Sequence, residues 1–554
     1  LVSALAEILN EENQGTTSRT APVLTGLTPG LVQAQFISGF NVSLDSNDPW
    51  DGVLERRRIE CVDGIPVAQD VEDADRFQEV LNGQVIAPGD VQPWASDSSV
   101  SFTGGFSRNL WTILPTDPAD INGHLIGNGK TKLTALTNDG IDVPNDYTGN
   151  EIRNVPPGEF SKLISPEYLF GTGSTDTAQR DAVVEWIHGV AGSGREDERL
   201  GDIYHSTPAI VGPLVDDIED RSYNDWRLGL GFQESPDSTE NLAVDGWQLN
   251  SRPRVIYASS NDGVIHAFLA DDYGSDVFTA GNNLEEFACA GNKAAGTELW
   301  GFIPPMFLDD LDDQLSGGSK QWYADGNIVV RNLYDVRAFA EDDGGGGLTD
   351  SPSGQTNVWR TVLFLSFRNG GAGMVALDVT NPCKPEFLWQ FTDGDLGLTY
   401  GQPTAAQLFV EDQDPTPRGN SGGPIVFAPR QSRAVILLPG GQGIEDSGAN
   451  PCTFVSGNAL PEGMDDWDGI SISPRSDRRC WRGSTSVPAA VPKGRALYFI
   501  DMITGTIIEK LDENTFPAPL NGAVSVFRGD TGTVGSSAYT IDADGNIVVR
   551  NLYD

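Results

Sequence analysis

The sequence predicts a mainly β fold, an irregular β-propeller with long loop insertions and a few helices. The first observation is a strand–turn–strand phrase that recurs as VIHAFLADD with ELWGFIP, as GMVALDVT with FLWQFTD, and as ALYFIDMITG with TIIEKLD. The second is the composition, because 64 Gly, 34 Pro and many short Val/Ile/Leu runs favour short strands joined by turns. Diverged repeats of about 40 residues or more that cannot bury their own faces are expected to pack as blades around an axis.

The clearest copy of this phrase lies between residues 371 and 403. The runs MVALDV and EFLWQF are short, apolar and rich in β-forming residues. They are separated by the turn formers Asn381 and Pro382, and the second run ends at Asp393, Gly394 and Asp395. We therefore predict a β-hairpin here.

The order Ala-Leu-Asp, a turn, and a Trp that ends the returning strand resembles the blades of quinoprotein-type propellers. In such blades the Asp caps the turn and the Trp packs flat between neighbouring blades. The resemblance implies that Trp300 in GTELWGF and Trp389 in EFLWQF are buried between blades.

Longer segments resemble the PilY-type proteins, the tip adhesins and assembly factors of type IV pili. These segments are LGDIYHSTPAIVG from Leu200, VIYASSNDGVIHAF from Val255, GTELWGFIPP from Gly296, and WRTVLFLSFRNGGAGMVALDVT with FLWQFTDGDLGLTYGQPTAAQL. The resemblance implies a non-enzymatic component of the pilus tip that is exported through the periplasm to the cell surface. It implies a role in pilus assembly and in adhesion to a surface or host receptor, with the minor pilins as partners.

The chain is expected to divide into four parts. Residues 1–31 form an N-terminal helix and linker, 32–115 form β segments that join the propeller, 116–199 form an irregular insertion with an amphipathic helix, and 200–554 form the propeller. The helix is predicted over Asp176 to Val190, with Ser174 or Thr175 as its cap. The chain opens at Leu1 without Met and stops before the family's further blades, so we expect missing parts at both ends, a signal peptide included.

The charge of the chain excludes some classes of partner. The formal net charge is −43, from 79 acidic and 36 basic residues, whereas binding to nucleic acid or an anionic membrane needs clustered Lys and Arg. The sequence has no apolar run near the ~18 to 20 residues that a membrane helix needs.

The five cysteines include no C-x-x-C pair and no adjacent pair, which excludes a zinc ribbon or finger. For an exported protein we predict a disulfide between Cys452 and Cys480, which lie in one irregular insertion, and the odd cysteine would stay free. Buried free thiols are the alternative.

The sequence offers little for catalysis. There are four histidines and no G-x-S-x-G before a helix, so we interpret the histidines as structural. The alternative function is a periplasmic quinone- or metal-dependent oxidoreductase on the same fold. Quinoprotein enzymes clamp their cofactor with calcium and a disulfide between adjacent cysteines, and this chain has no adjacent cysteines.

Calcium is the one metal that the resemblance implies. PilY-type proteins carry a D-x-D-x-D-type loop that matches Asn521 to Tyr539 here, where acidic oxygens at alternate positions would bind a hard cation. Asp530 is the matching acid, and Asp542 and Asp544 are the nearest others. A tight turn is the alternative interpretation of Asp-Gly-Asn.

Two further motifs lie near the end of the chain. Arg528, Gly529 and Asp530 form an RGD triplet, which on an exposed loop would suit an integrin-like receptor, with coincidence as the alternative. The twelve residues ADGNIVVRNLYD occur twice without a difference, at Ala324 to Asp335 and Ala543 to Asp554. Identity among otherwise diverged repeats indicates a recent duplication or an error in the sequence.

Overall fold

The structure is a computed structural model. It describes residues 22–24, 33–41, 50–63, 65–70, 73–84, 108–126, 157–160, 162–215, 221–228, 249–273, 293–315, 322–337, 341–342, 348–349, 356–383, 385–410, 431–442, 493–502, 505–512, 514–516, 519–526, 539–541 and 547–549.

The described part of the chain is mainly β. Its strands are β1 (Val23–Leu24), β2 (Ala34–Asn41), β3 (Asp51–Val62), β4 (Ile65–Ala68), β5 (Asp75–Arg76), β6 (Leu110–Ile113), β7 (Leu125–Ile126), β8 (Pro157–Glu159), β9 (Ala209–Val211), β10 (Val255–Ser259), β11 (Ile265–Leu269), β12 (Glu298–Ile303), β13 (Ile328–Arg337), β14 (Glu341–Asp342), β15 (Leu348–Thr349), β16 (Thr356–Ser366), β17 (Met374–Asp378), β18 (Glu386–Phe391), β19 (Thr404–Val410), β20 (Gln431–Pro439), β21 (Leu497–Asp501), β22 (Ile507–Leu511), β23 (Tyr539–Ile541) and β24 (Ile547–Val549). The α-helices are α1 (Phe77–Gly83), α2 (Glu167–Phe170), α3 (Thr177–His188) and α4 (Arg221–Arg227), and a 3-10 helix spans Pro305–Gln314. Among these helices, none is long and apolar enough to cross a membrane.

Four sheets contain most of the strands. Sheet 1 has the order β1-β2-β3-β4 with β5 also on β3, sheet 2 is β8-β6-β12-β11-β10-β9, sheet 3 is β13-β16-β17-β18-β7, and sheet 4 is β19-β20-β21-β22. Sheets 2, 3 and 4 each contain four antiparallel strands in an up-and-down meander, and in sheet 3 the two-stranded sheet of β14 and β15 is inserted between β13 and β16. The upstream strands β6 and β7 add to the outer edges of sheets 2 and 3.

Both faces of sheets 2 and 3 are buried, because the side chains of a strand alternate between its two faces. In β10, Ile256 and Ala258 pack with side chains of sheet 1, whereas Val255 and Tyr257 pack in a cluster shared with sheet 3. In the same way, alternate residues of β16 pack toward sheet 2 or toward sheet 4. The four sheets therefore stack in series, with a core between each pair.

The three predicted hairpins are confirmed, and they share one irregularity. A register shift follows the pairs Ala267–Trp300 in sheet 2, Ala376–Trp389 in sheet 3 and Phe499–Glu509 in sheet 4. A bulge at the same place in three meanders is the structural sign of the repeat that the sequence shows.

The two tryptophans before these bulges connect neighbouring sheets, as predicted. Both indoles are 0 % exposed. The Nε1 of Trp300 donates at 2.8 Å to the carbonyl of Pro382, in the turn between β17 and β18 of sheet 3. The Nε1 of Trp389 donates at 2.9 Å to the carbonyl of Met502, directly after β21 of sheet 4. The predicted turn cap is also present, since Asp378 accepts from the amide of Thr380 at 2.9 Å.

The helix predicted before sheet 2 is confirmed as α3. Asp176 caps it by accepting from the amide of Gln179 at 2.9 Å, so the predicted caps Ser174 and Thr175 were wrong by one or two residues. Gly189 ends the helix in the left-handed conformation at φ 64°.

A closed ring of blades is not among the features that the described residues show. The four sheets are open, and the propeller remains a prediction. The segments predicted at Leu1 to Leu9 and through most of 85–107 and 127–156 lie outside the described residues.

We expect Trp389→Ala to lower the free energy of unfolding by about 3–5 kcal/mol, because it removes a fully buried indole and one inter-sheet hydrogen bond. Thermal or urea unfolding of the purified chain measures this loss. The matched control is Leu163→Ala, at a side chain that is 82 % exposed, for which we expect a change within about 0.5 kcal/mol. Equal stability of Trp389→Ala and wild type would contradict the inter-sheet role of the indole.

Candidate functional site

The site residues predicted from the sequence lie outside the described residues. They are the RGD triplet Arg528, Gly529 and Asp530, the acids Asp542 and Asp544, and the disulfide pair Cys452 and Cys480. Receptor binding, calcium binding and the disulfide therefore stay predictions. Within the described ranges, no group of three or more His, Cys, Asp or Glu side chains is arranged to hold a metal ion.

The first copy of the repeated twelve residues contains an acid equivalent to Asp544, and the structure describes this acid. The equivalent acid in the first copy is Asp325, which lies in a turn and is buried. Its carboxylate accepts from His205 Nδ1 at 2.8 Å and from Asn369 Nδ2 at 3.0 Å. In the first copy, this acid therefore holds neighbouring turns together.

Two cysteines are described. Cys61 is free and exposed in the hairpin of β3 and β4. Cys383 is buried and disulfide-bonded, and its partner lies outside the described residues. The chain thus contains at least one disulfide, and because five is an odd number, at least one thiol must remain unpaired within the molecule.

A network of buried charged side chains joins the upstream chain to sheet 2. Arg108 stands just before β6, and Glu298 is the first residue of β12. Two parallel hydrogen bonds connect them, from Arg108 Nε to Oε2 at 2.9 Å and from Nη2 to Oε1 at 2.8 Å. Arg108 Nη1 also donates to the carbonyl of Ile187 near the end of α3, at 2.8 Å. One guanidinium therefore holds three elements together.

The same network contains the connectivity of a Ser–His–acid triad. His266 Nε2 lies 2.8 Å from Ser260 Oγ, and His266 Nδ1 lies 2.7 Å from Glu298 Oε1. A nucleophilic triad needs a serine that a substrate can reach, whereas all three residues are at most 2 % exposed. Ser260 Oγ also donates to Asp262, and Glu298 is bound by Arg108. We interpret the group as a polar part of the core.

Asp262 extends the network to the segment that follows α3. Arg195 Nη2 donates to the Asp262 carboxylate, and the Arg195 guanidinium lies 4.3 Å from the ring centre of Trp186 in α3. Burial by itself would raise the pKa of Asp262, but the charges of Arg195, His266 and Arg108 lower it by more, so that the pKa is about 2. Burial likewise raises the pKa of Glu298, and Arg108 lowers it well below its ordinary range. Both carboxylates are therefore charged at neutral pH.

A second group of polar and aromatic side chains lies in the loops next to strands of the four sheets. We call it the aromatic rim, and its members are half-buried: Trp50, Tyr204, His205, Trp322, Arg368 and Tyr400. Tyr204 and Trp322 meet edge to face with 5.0 Å between ring centres, and His205 stacks on Trp322 at 5.8 Å. Trp50 connects to them through the buried ring of Phe40.

The rim ends at an arginine with an uncommon backbone. Arg368 lies between β16 and β17 at φ 54°, a region that non-glycine residues rarely occupy. Its amide donates to Thr399 Oγ1 at 3.1 Å, and its guanidinium lies 5.1 Å from the ring centre of Tyr400. In the described part of the chain, no carboxylate forms an ion pair with this guanidinium.

Neither the charged network nor the rim is predicted by the sequence alone. Arg108 and Glu298 are 190 positions apart, so no spacing rule connects them. Tyr204 and His205 lie in a recognised motif, LGDIYHSTPAIVG, but only the fold brings them to Trp322.

We expect Arg108→Met to lower the free energy of unfolding by about 3–5 kcal/mol, because it leaves the Glu298 carboxylate buried without its partner. The double variant Arg108→Met, Glu298→Gln should recover part of this loss, since the uncompensated charge is gone. Arg58→Met is the control, because its ion pair with Asp75 is exposed and contributes about 0–1 kcal/mol. Urea unfolding measures all three, and a double variant less stable than Arg108→Met would contradict this account.

We also expect the protein to lose stability as the pH falls from 7 toward 4. Burial lowers the pKa of His188 to about 3 and that of His124 to about 4, against about 6.5 in an unfolded chain. Below a pH of about 6.5, the unfolded chain binds a proton at each of these histidines, whereas the folded chain does not. The free energy of unfolding therefore falls as the pH falls, by up to about 1.4 kcal/mol per pH unit for each residue. Urea unfolding at several pH values measures the slope. His188→Gln, which keeps a donor for the Phe160 carbonyl, should make the slope shallower, and an unchanged slope would contradict the assignment.

No protein-family model matches the chain. The chain is 28 % identical over 242 residues to "Type IV pilus biogenesis factor PilY1" of Pseudomonas aeruginosa strain UCBPP-PA14, a stretch that is 42 % of this chain and 16 % of that protein. It is 28 % identical over 215 residues to a "Type IV pilus biogenesis factor PilY1 homolog" of Xylella fastidiosa strain Temecula1, which is 38 % of this chain and 13 % of the relative. The match thus spans less than a fifth of the length of these relatives.

A solved structure is also similar. The crystal structure of the Pseudomonas aeruginosa PilY1 C-terminal domain is 22 % identical, with a TM-score of 0.25, and the likeness covers 55 % of this chain and 36 % of that one. These sequence matches to PilY1 and its homologue confirm the resemblance of the chain to the PilY-type proteins.

Proposed function

We propose that this chain is a non-enzymatic component of a type IV pilus that supports pilus assembly. The observation that carries the proposal is its similarity to two proteins named as type IV pilus biogenesis factors. We further propose that it is exported through the periplasm, stands at the pilus tip on the cell surface, and takes part in adhesion. The oxidoreductase alternative receives no support from these relatives.

We propose that sheets 2, 3 and 4 are consecutive blades of an irregular β-propeller. Three features support this: each contains a four-stranded meander, each bears the same bulge, and neighbouring sheets share a core. Sheet 1 adds a further layer on the far side of sheet 2.

We propose that the minor pilins contact the aromatic rim. Trp, Tyr and Arg are the residues that most often dominate the binding energy of protein interfaces, and the rim contains all three. Arg368 adds a positive charge without a carboxylate partner among the described residues, so it suits a carboxylate on the pilin. Its rarely occupied backbone conformation supports a functional position.

We keep three sequence predictions as part of the proposal. Calcium would be held by Asp530 with Asp542 and Asp544, a receptor would be bound through Arg528, Gly529 and Asp530, and Cys452 would pair with Cys480. The exposed thiol of Cys61 agrees with the expectation of one free cysteine.

The test is deletion of the gene in the source bacterium, followed by complementation. We expect deletion to reduce surface pili, and complementation to restore them. The rim variant Trp322→Ala, Arg368→Ala should give a folded and exported protein that restores fewer pili and shows at least tenfold weaker binding to the minor-pilin complex. Normal pili in the deletion strain would refute the pilus role.

The control separates the rim from folding. Leu163→Ala changes an exposed side chain and should complement fully. A rim variant that is folded, exported and fully active would refute the rim as the contact surface while leaving the pilus role intact.

A further inference from the structure

The duplicated twelve residues have a defined place in the fold. The first copy, Ala324 to Asp335, forms a turn and then most of β13. Among the strands that the structure describes, β13 is the terminal strand of sheet 3 and pairs with β16 alone. Removing this strand would therefore break one ladder.

The turn of the first copy is held by its own residues. Asp325 binds His205 and Asn369, and Asn327 Oδ1 accepts from the amide of Thr207 at 3.0 Å. Gly326 is required for close approach, because a Cβ at this position would lie 1.7 Å from the Ser366 carbonyl oxygen.

The strand is also held by residues of the repeat. Its ladder with β16 has ten residue pairs, Ile328 to Arg337, and eight of them, Ile328 to Asp335, belong to the repeat. Ile328 packs into the core toward sheet 2, whereas Val329 and Leu333 pack toward sheet 4. The contacts of turn and strand thus come almost entirely from the twelve residues.

The second copy has the same residues at every one of these positions, including Gly545, Asn546 and Leu552. Its strand β24 begins at Ile547, the equivalent of Ile328 where β13 begins, and it pairs antiparallel with β23. One sequence therefore forms a strand in both places.

We propose that Ala543 to Asp554 of one molecule is an exchangeable occupant of the β13 place in a second copy of the chain. The incoming segment would make the same eight pairs with β16, bury the same side chains and fit the same glycine against Ser366. The displaced segment has the sequence of β24 and would pair with β23 of the first molecule. This inference does not depend on the proposed pilus function.

Concentration favours a second copy as the source of the occupant. Exchange inside one molecule yields the same contacts and gains nothing, while Tyr323, which is buried before the turn, keeps the resident segment near its place. Exchange between molecules also conserves the contacts, but it links two chains, so mass action drives it as concentration rises.

The first experiment uses a labelled synthetic peptide, ADGNIVVRNLYD, added to the full chain and followed by fluorescence anisotropy until equilibrium. The matched control peptide has Ala in place of its glycine, which would bring a Cβ against the Ser366 carbonyl. We expect the control to bind at least tenfold more weakly. Equal binding of the two peptides, or binding of neither, would overturn the proposal.

The second experiment measures mass by light scattering over a range of concentrations. We expect the full chain to form dimers as concentration rises, and the variants Gly545→Ala and Leu552→Asp, as well as deletion of residues 543–554, to need at least tenfold higher concentrations. Two different substitutions guard against a local folding defect in either one. A full chain that stays monomeric, or dimers that persist in all three variants, would overturn the proposal.

Discussion

The fold depends on the burial of both faces of sheets 2 and 3. A sheet with apolar side chains on both faces has no water-facing side, so it is stable only between two neighbours.

Hydrogen bonds also join each sheet to the next. Trp300 donates to sheet 3 and Trp389 donates to sheet 4, each to the backbone near a turn. At the corresponding step from sheet 1 to sheet 2, Arg56 donates to the Ala270 carbonyl at 2.6 Å. In two of these three steps the acceptor is the residue directly after a strand. Ala270 follows β11, and Met502 follows β21.

The upstream chain completes these sheets at their edges and ends. Strand β6 covers the free edge of β12, and β7 covers that of β18. Arg108, two residues before β6, ties this edge to α3 and to Glu298. A buried ion pair contributes little net stability relative to apolar packing, but breaking it is costly. Its effect here is therefore to fix one arrangement of three elements that lie far apart in the sequence.

Local signals made part of this structure predictable from the sequence. The three hairpins and both buried tryptophans follow from apolar runs, turn residues and the position of Trp in each phrase, which are short-range features. The helix α3 was predicted from its period, but its cap was not, because Ser174, Thr175 and Asp176 are all suitable capping residues. The sequence predicted that upstream β segments join the repeated strands, but it did not predict which strands β6 and β7 pair with, since strands of four and two residues carry no information about their partner. The charged network and the rim join residues far apart in sequence, which only the assembled sheets bring together.

Sheet 4 departs from the repeat in a way that explains its different packing. Glu509 stands where sheets 2 and 3 have Trp300 and Trp389, as the common bulge shows. A carboxylate does not fill the apolar space that an indole fills between two sheets. The outer face of sheet 4 packs instead with Phe516, Leu520 and Val524 from the segment that follows β22.

The inner face of sheet 4 carries a charged contact with sheet 3. Lys510 donates to Asp393 at 2.7 Å and to Asp395 at 2.6 Å, both in the loop after β18. The charge of Lys510 lowers the pKa of Asp393, although burial by itself would raise it. Two contacts therefore join sheets 3 and 4 across their shared core. Lys510 of sheet 4 pairs with carboxylates in the loop after β18 of sheet 3, and Trp389 of sheet 3 donates to the Met502 carbonyl after β21 of sheet 4.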